Sequence, residues 1–457
     1  MDAETQIIMN PQRYSFNYSQ DIIHLQTKYA LFKRVANILF SVTFDNGFDE
    51  GRMLDALQLL IDRNDCLRLT FVKEGKQMRQ FFEPARKLGK VPTVRFETTA
   101  QMEAWIRRFR RKGLDMTKGQ TFKAVFAVNA SGEQMVFIKI SHYVADTYGI
   151  GVLVTDLSAI YTALSNGSAL PPAPGSFEEV IRKDNEYRAN TEATEKDRSF
   201  FQEYYEHRHA ERPLYCGIHG DESDRWMKNK KKGNISLPYL FIRCDTMGYR
   251  FVIPAAVTLR AEQWCKEHEI SLNTFFFYTY AIACSLRNGR APYQTPLELM
   301  NCRATIADRK AAGTKVQSLS VYTTVDYARS FDENIAALNA ETTEMYRHTR
   351  LSYLECEAMQ HKVWNYSMLS QLYNYCFSYI PVKNPEGVRL QVWSNGKGAL
   401  VTYLAMMHDV DTNEISVNYD IQTKMVTPGQ LIEFQNLFIH VVETVLDKPA
   451  TPLGEIF

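Results

Sequence analysis

Lys139-Ile140-Ser141-His142-Tyr143-Val144-Ala145-Asp146-Thr147-Tyr148-Gly149 is the stretch on which the reading of this chain turns. A β-type run delivers a histidine to its end, an aspartate follows four residues later, and an amphipathic helical pattern then begins. Such a layout puts a titratable imidazole at the mouth of a sheet. Histidine is the one side chain whose unperturbed pKa suits proton transfer near neutrality, so His142 is a candidate general base. The His-x-x-x-Asp spacing by itself is weak. Ten histidines in 457 residues give on the order of half a match by chance, and the ordinary alternative is a surface histidine or one satisfied in a core. It occurs once here, and its surroundings decide its weight.

Working outward, Asn37 to Phe44 reads as a strand. Asp49 to Arg63 reads as a helix with Met53, Leu54, Leu57, Leu60 and Ile61 on one face. Gln101 to Lys112 is a second helix. Thr121 to Asn129 and Gln134 to Ser141 make a hairpin across Ala130-Ser131-Gly132, and Gly151 to Leu164 has the apolar spacing of a helical face. Ser165 to Ser176 then holds three prolines and two glycines, which end the helix and make a stiff, exposed connection. Beyond it, a charged helix is expected from Ser176 to His207, a strand at Tyr249 to Ile253, and helices at Thr258 to His268 and Leu272 to Leu286. Further strands are expected at Leu297 to Cys302, Val316 to Val325, Cys376 to Val382, Val388 to Trp393, Leu400 to His408 and Glu414 to Tyr419. Phe331 to His348 and Pro428 to Leu446 fit helices. Each half mixes helices with a sheet, so the reading is an α/β (α+β) chain of two similar subdomains, 1–172 and 173–457, with ligands bound in a crevice.

Composition excludes several classes. The chain is 45% hydrophobic and 23% charged with a net charge of +1, so no global field favours nucleic acid or an anionic membrane. Eight cysteines lie scattered with no C-x-x-C pair, which fits neither a metal site nor a disulfide framework and suits a reducing compartment. Neither a secretory leader nor eighteen consecutive uncharged apolar residues is found. A cytoplasmic protein with no metal is expected.

Arg63-Asn64-Asp65-Cys66-Leu67-Arg68-Leu69-Thr70-Phe71 resembles the Arg-His-Glu-x-Leu-Arg-Thr-x-Phe motif of nonribosomal peptide synthetase condensation domains. Ser141 to Thr147 is similar to their His-His-x-x-x-Asp-Gly signature, and Gly113-Leu114-Asp115-Met116 to the Phe-Asp-Leu element before it. Asn301-Cys302-Arg303 resembles the family's Asn-x-Arg, Leu319 to Val325 the strand after it, and Tyr419-Asp420 the late Tyr-Asp. The matches fall in the family's order from about Asn37 to Ile456. The opening Ser-x-Ala-Gln-x-Arg-x-Trp motif is not recognisable in the first 35 residues.

The resemblance implies a chloramphenicol-acetyltransferase-like architecture, two related halves in a V with a central tunnel and the histidine at its middle. It implies an acyl donor held as a thioester on phosphopantetheine or coenzyme A, an amine or alcohol acceptor, and an acyl or peptidyl carrier protein as partner. No cofactor is bound permanently. A freestanding enzyme is expected, since no carrier or adenylation module fits in 457 residues.

His142 aligns with the family's catalytic histidine, as proton acceptor or as the group that holds the nucleophile against the carbonyl; a histidine capping a strand end is the alternative. Asp146 either orients the imidazole or salt-bridges Arg303 or Arg68 and fixes the loop, and the family favours the second. Ser378 resembles the Ser/Thr oxyanion donor of related coenzyme A acyltransferases and reads equally as a plain strand serine. Asn301 and Arg303 read as scaffold near the site. Trp393 to Gly398 falls where related enzymes carry an Asp-Phe-Gly-Trp-Gly loop and reads better as a glycine turn. Arg107, Arg108, Arg110, Arg111 and Lys112, like the lysines at 228–232, make either a solvated face or a dock for an acidic carrier.

Two positions depart from the signature. Ser141 replaces its first histidine, usually a structural residue. Thr147 replaces its glycine, and a β-branched residue at positive φ would be strained; either the turn keeps φ negative or Gly149 takes the bend. The Asp-x-x-Ser-Trp pattern of epimerising relatives is absent. The expectation is a condensation-type acyltransferase. A degenerate member that only recruits a carrier protein is the rival, favoured by the changes at Ser141 and Thr147.

Overall fold

The computed structural model describes residues 11–29, 33–208, 218, 245–294, 296–365, 375–398, 400–423 and 426–457. The lysine cluster at 228–232 lies outside them. Two compact units are formed. One comprises Met1–Thr191, Asn301–Val316 and Lys383–Lys397; the other comprises Glu192–Met300, Gln317–Val382 and Gly398–Phe457. A sequential boundary at 172/173 is therefore not how the chain divides. The helix Phe177–Ala189, past the proline-rich break, stays with the first unit because Asp65 takes its N-terminus: Ser176 Oγ and the backbone N–H groups of Phe177 and Glu178 all donate to that carboxylate. Phe177, Val180 and Ile181 then bury in the first core.

The first unit is built on a five-stranded sheet in the order Val388–Trp393, Asn37–Phe44, Gln134–Ser141, Phe122–Val128, Thr93–Arg95. All pairs are antiparallel except the last. Alternation along the strands sends Phe40, Val42, Val136, Ile138 and Ile140 to one face, packed with the helices Glu50–Arg63 and Thr147–Asn166. Leu39, Phe137 and Val125 point the other way, under Ile106 of the helix Thr99–Phe109. The strand Gln134–Ser141 is thus covered on both faces, and its pairing of Ser141 with Asn37 fixes where His142 emerges. The helix Thr147–Asn166 is long and apolar enough by composition to cross a membrane; here Ile150, Leu153, Leu157 and Ile160 are buried in the first core.

The second unit carries a six-stranded sheet in the order Val316–Ser320, Leu297–Asn301, Tyr375–Val382, Thr402–Asp409, Ile415–Gln422, Thr246–Ile253. Its core helix, Leu272–Arg287, is buried along nearly its whole length, as its lack of a polar face requires. That helix packs with Pro428–Asp447 and with the side chains of Tyr375 and Phe377. The helix expected from Ser176 to His207 is two helices, Phe177–Ala189 and Thr191–His207, separated at Asn190. The long strand expected from Val316 to Val325 is broken after Ser320 and resumes at Thr323–Thr324.

Candidate active site

The strand Gln134–Ser141 ends where Ser141 donates its backbone N–H to the Thr121 carbonyl. The next residue, His142, donates its own to Ala36 at 2.6 Å. The chain then turns at once, with the N–H groups of Val144 and Ala145 both reaching back to the Ser141 carbonyl. The imidazole is half-buried, and its Nδ1 is enclosed with no hydrogen-bond partner among the described residues. Burial pushes the ring's pKa below the ordinary histidine value; its own backbone and the nearby Asp146 carboxylate pull weakly the other way. A neutral ring at pH 7 is the form that can accept a proton.

Tyr143 locks the loop on one side. Its hydroxyl meets Thr27 Oγ1 at 2.6 Å and His24 Nδ1 at 3.2 Å, and its carbonyl accepts from Gln20 Nε2 at 3.1 Å. Its ring packs against Phe16 and Phe71. Three of these partners belong to the helix Tyr18–Tyr29. This is a support that motif reasoning missed; the polar residues Gln20, His24 and Thr27, spaced along one face of that helix, were its trace in the sequence.

Asp146 locks the other side. It caps the helix Thr147–Asn166 by accepting from the Gly149 N–H at 2.7 Å. Arg303 grips it bidentately, Nη1 to Oδ2 at 2.9 Å and Nη2 to Oδ1 at 3.1 Å, and the Lys315 N–H donates to Oδ2 at 2.7 Å. Burial alone would raise the carboxyl's pKa, but the Arg303 charge and these bonds outweigh it and hold Asp146 below the usual carboxylate range. All four donors come from elsewhere than His142, so the hydrogen bond that an Asp–His dyad needs is not made. Arg303 also donates to Asn301 Oδ1 at 2.8 Å and to the Gly313 carbonyl at 2.7 Å, and lies over the Tyr148 ring.

Arg68, the other expected partner, does not reach Asp146. It donates to the carbonyls of Ile61 and Asp62, both at 2.7 Å, and of Glu83 at 2.9 Å, tying off the end of the helix Glu50–Arg63. The rest of its motif is equally structural. Arg63 bonds Asp156 in the middle of the helix that follows the histidine loop, together with the carbonyls of Pro171 and Pro172; Asn64 bonds the same aspartate.

Thr147 keeps φ negative as the first residue of its helix, so the residue replacing the family's glycine is unstrained. Gly149 does not supply a positive φ either. It is needed for closeness: a Cβ there would lie 2.4 Å from the Gly313 carbonyl oxygen.

Ser378 belongs to the second unit, buried on the strand Tyr375–Val382, whereas His142, Ser141, Asp146, Asn301, Arg303 and Arg68 belong to the first. Its hydroxyl shares a hydrogen bond with Tyr403, 3.0 Å away. The segment after Trp393 is a glycine turn, with Gly396 at φ +75 and Asn395 donating to the Asn37 carbonyl at 2.9 Å.

The family model described as the condensation domain matches residues 12–457. A stretch of 168 residues is 27% identical to surfactin synthase subunit 1 of Bacillus subtilis, covering 35% of this chain and 5% of that protein. Another, of 148 residues, is 26% identical to tyrocidine synthase 3 of Brevibacillus parabrevis, covering 31% and 2%. The matches thus span only a small fraction of these relatives' length. Among solved structures, a variant of the starter condensation domain of rhizomide synthetase in complex with C8-CoA superposes with a TM-score of 0.80 at 18% identity, over 100% of this chain and 99% of that one. The condensation domain of monacolin K polyketide synthase gives 0.79 at 15% identity, over 97% and 99%. These likenesses establish the shared mixed α/β, chloramphenicol-acetyltransferase-like fold, and the match across residues 12–457 establishes the family. The chain belongs to the condensation domain family.

Proposed function

We propose that this chain is a condensation-type acyltransferase that moves an acyl group from a thioester to an amine, forming an amide, or to an alcohol. The supporting observation is the half-buried, neutral His142, presented at the end of a doubly covered strand by a loop pinned on both sides. In this reading the acceptor nitrogen attacks the thioester carbonyl while its proton passes to the imidazole. The tetrahedral oxyanion collapses, the carbon–sulfur bond breaks, and the departing thiolate takes the proton from His142 as a thiol. General base assistance typically contributes about 10²- to 10⁴-fold, and positioning contributes comparably. Asp146 and Arg303 act through the backbone that holds His142.

The donor is an acyl-phosphopantetheine on a carrier protein or an acyl-coenzyme A. Incubating the purified protein with both kinds of donor and a panel of amines and alcohols, with mass detection of the products, tests the proposal. Amide or ester product that is lost in His142→Ala is the expected result. Product unchanged in that variant removes His142 from the mechanism, and no product with any donor removes the activity.

A further inference from the structure

A concavity of about 700 Å³ opens on the first unit, lined by Asp45, Asn46, Ser158, Thr162, Glu386 and Gly387. The fold brings these residues to one corner. The strand Asn37–Phe44 ends with Phe44 paired to Val388, and the Asp45 N–H then ties the two following turns together by donating to the Gly387 carbonyl at 2.9 Å. The Phe44 ring packs on Tyr161, 5.6 Å between centroids, and seats the helix Thr147–Asn166 against the same corner. His142 leaves the sheet beside Asn37, at the opposite end of that strand, about 23 Å away along it. The concavity is therefore separate from the proposed acyl transfer, and its ligand does not depend on that reading.

Its chemistry is one-sided. Asp45 and Glu386 bring carboxylates, Asn46 an amide, and Ser158 and Thr162 hydroxyls; no basic and no large apolar side chain lines it. Glu386 has no ion pair or hydrogen bond among the described residues. Arg389 takes one Asp45 oxygen, Nε to Oδ1 at 3.0 Å, and gives its other end to Glu133.

Exposed acidic side chains alone are ordinary, but Ser158 is not. It is only 8% exposed, and its hydroxyl has no hydrogen-bond partner among the described residues. A helical serine can bond back to the carbonyl one turn before it, as Ser165 of the same helix does to Tyr161 at 2.8 Å. A hydroxyl buried without a partner is destabilising, and this one lines a concavity where a ligand can satisfy it.

A neutral ligand would leave the carboxylates unmatched. A metal ion fits poorly, since no cluster of three or more His, Cys, Asp or Glu side chains that could hold one occurs among the described residues. The volume is that of a small organic molecule. What the carboxylates, the Asn46 carbonyl and both hydroxyls can all accept is an N–H, and a charged one serves them best.

We propose that Asp45, Asn46, Ser158, Thr162 and Glu386 form a binding site for a small aliphatic diamine or polyamine, with an ammonium at each carboxylate and an N–H donated to the Ser158 hydroxyl.

Titration calorimetry of the whole chain at low salt tests this, using putrescine, spermidine and ethanolamine, with tetramethylammonium and calcium chlorides as controls. The expected result is saturable binding of putrescine and spermidine, weaker for ethanolamine and absent for tetramethylammonium, which has the charge but no N–H. Glu386→Gln and Ser158→Ala are each expected to weaken binding about tenfold or more. Glutamine at an exposed turn and alanine in a helix leave the fold intact, which circular dichroism and urea unfolding check. Binding that both variants leave unchanged puts the amine elsewhere and overturns the site. Equally tight tetramethylammonium binding overturns hydrogen-bonded recognition in favour of general attraction to acidic groups. Calcium binding in place of amine binding, lost in Glu386→Gln, overturns it in favour of a metal site. No saturable heat with any amine overturns it outright.

Discussion

Arg303 holds Asp146 across 157 residues of chain, with two parallel bonds between groups that are each only 5% exposed. A buried pair of this kind is costly to break from one side, because the survivor stays charged and unpaired. Arg303→Ala is expected to lose about 3–5 kcal/mol in urea unfolding. Arg303→Lys recovers part of this, since one ammonium cannot satisfy both oxygens.

The same pair sets an acid dependence. The folded Asp146 carboxyl titrates below the ordinary 3.8, so the unfolded chain takes up this proton first as pH falls. Its contribution is present above that value and is lost as pH drops through the folded one. The stability difference between wild type and Arg303→Ala is therefore expected to narrow in acid. A gap that stays constant down to pH 3 contradicts the pairing.

His142 gives the corresponding kinetic prediction. Its folded pKa lies below 6.5, so the neutral ring survives to lower pH than in a free peptide. In the pH profile of kcat/KM the acid limb is expected below 6.5 and is expected to vanish in His142→Ala, with a fall of about 10²- to 10⁴-fold at neutral pH. The stability effect has the sign of a depressed base. Between the folded value and 6.5 the unfolded chain binds a proton that the folded one refuses, so stability declines as pH falls through that window and is unaffected above it.

Gly149 and Thr147 test how the loop is built. A methyl on Gly149 would strike the Gly313 carbonyl, which accepts from Arg303 at 2.7 Å. Gly149→Ala is expected to cost about 1–3 kcal/mol by overpacking and to lower activity by shifting the Asp146 cap. Restoring the family glycine with Thr147→Gly is expected to bring no gain, because φ is already negative there. It should cost up to about 1 kcal/mol of helix stability. A more active Thr147→Gly enzyme would mean that the departure does impair the site.

Much of this was legible in the sequence. The apolar alternation of Gln134 to Ser141 and the periodicity of Gly151 to Leu164 placed strand, histidine and helix correctly, because both are buried on defined faces. Asp146–Arg303 was one of two named options, and only three-dimensional proximity could choose between Arg303 and Arg68. The helix Tyr18–Tyr29 was missed because Gln20 and Thr27, polar in sequence, are buried by hydrogen bonding to the loop rather than by apolar packing. The helix Tyr353–Val363 was missed because its buried positions include Gln360 and His361, which break an apolar stripe. The return of 301–316 and 383–397 to the first unit left no local signal, since chain order says nothing of which sheet a late strand joins.

Ser378 and Tyr403 carry the last prediction. Their hydroxyls are 3.0 Å apart on neighbouring parallel strands, and deep burial raises the tyrosine pKa, so the phenol stays protonated and each hydroxyl can donate in turn. Ser378→Ala is expected to lower stability by about 1 kcal/mol, because the buried Tyr403 hydroxyl loses its partner. Ser378→Thr keeps a hydroxyl at that position and is expected to recover most of the loss, and Tyr403→Phe is expected to cost a similar amount by leaving the Ser378 hydroxyl unpaired. Urea unfolding of the three variants checks this pairing.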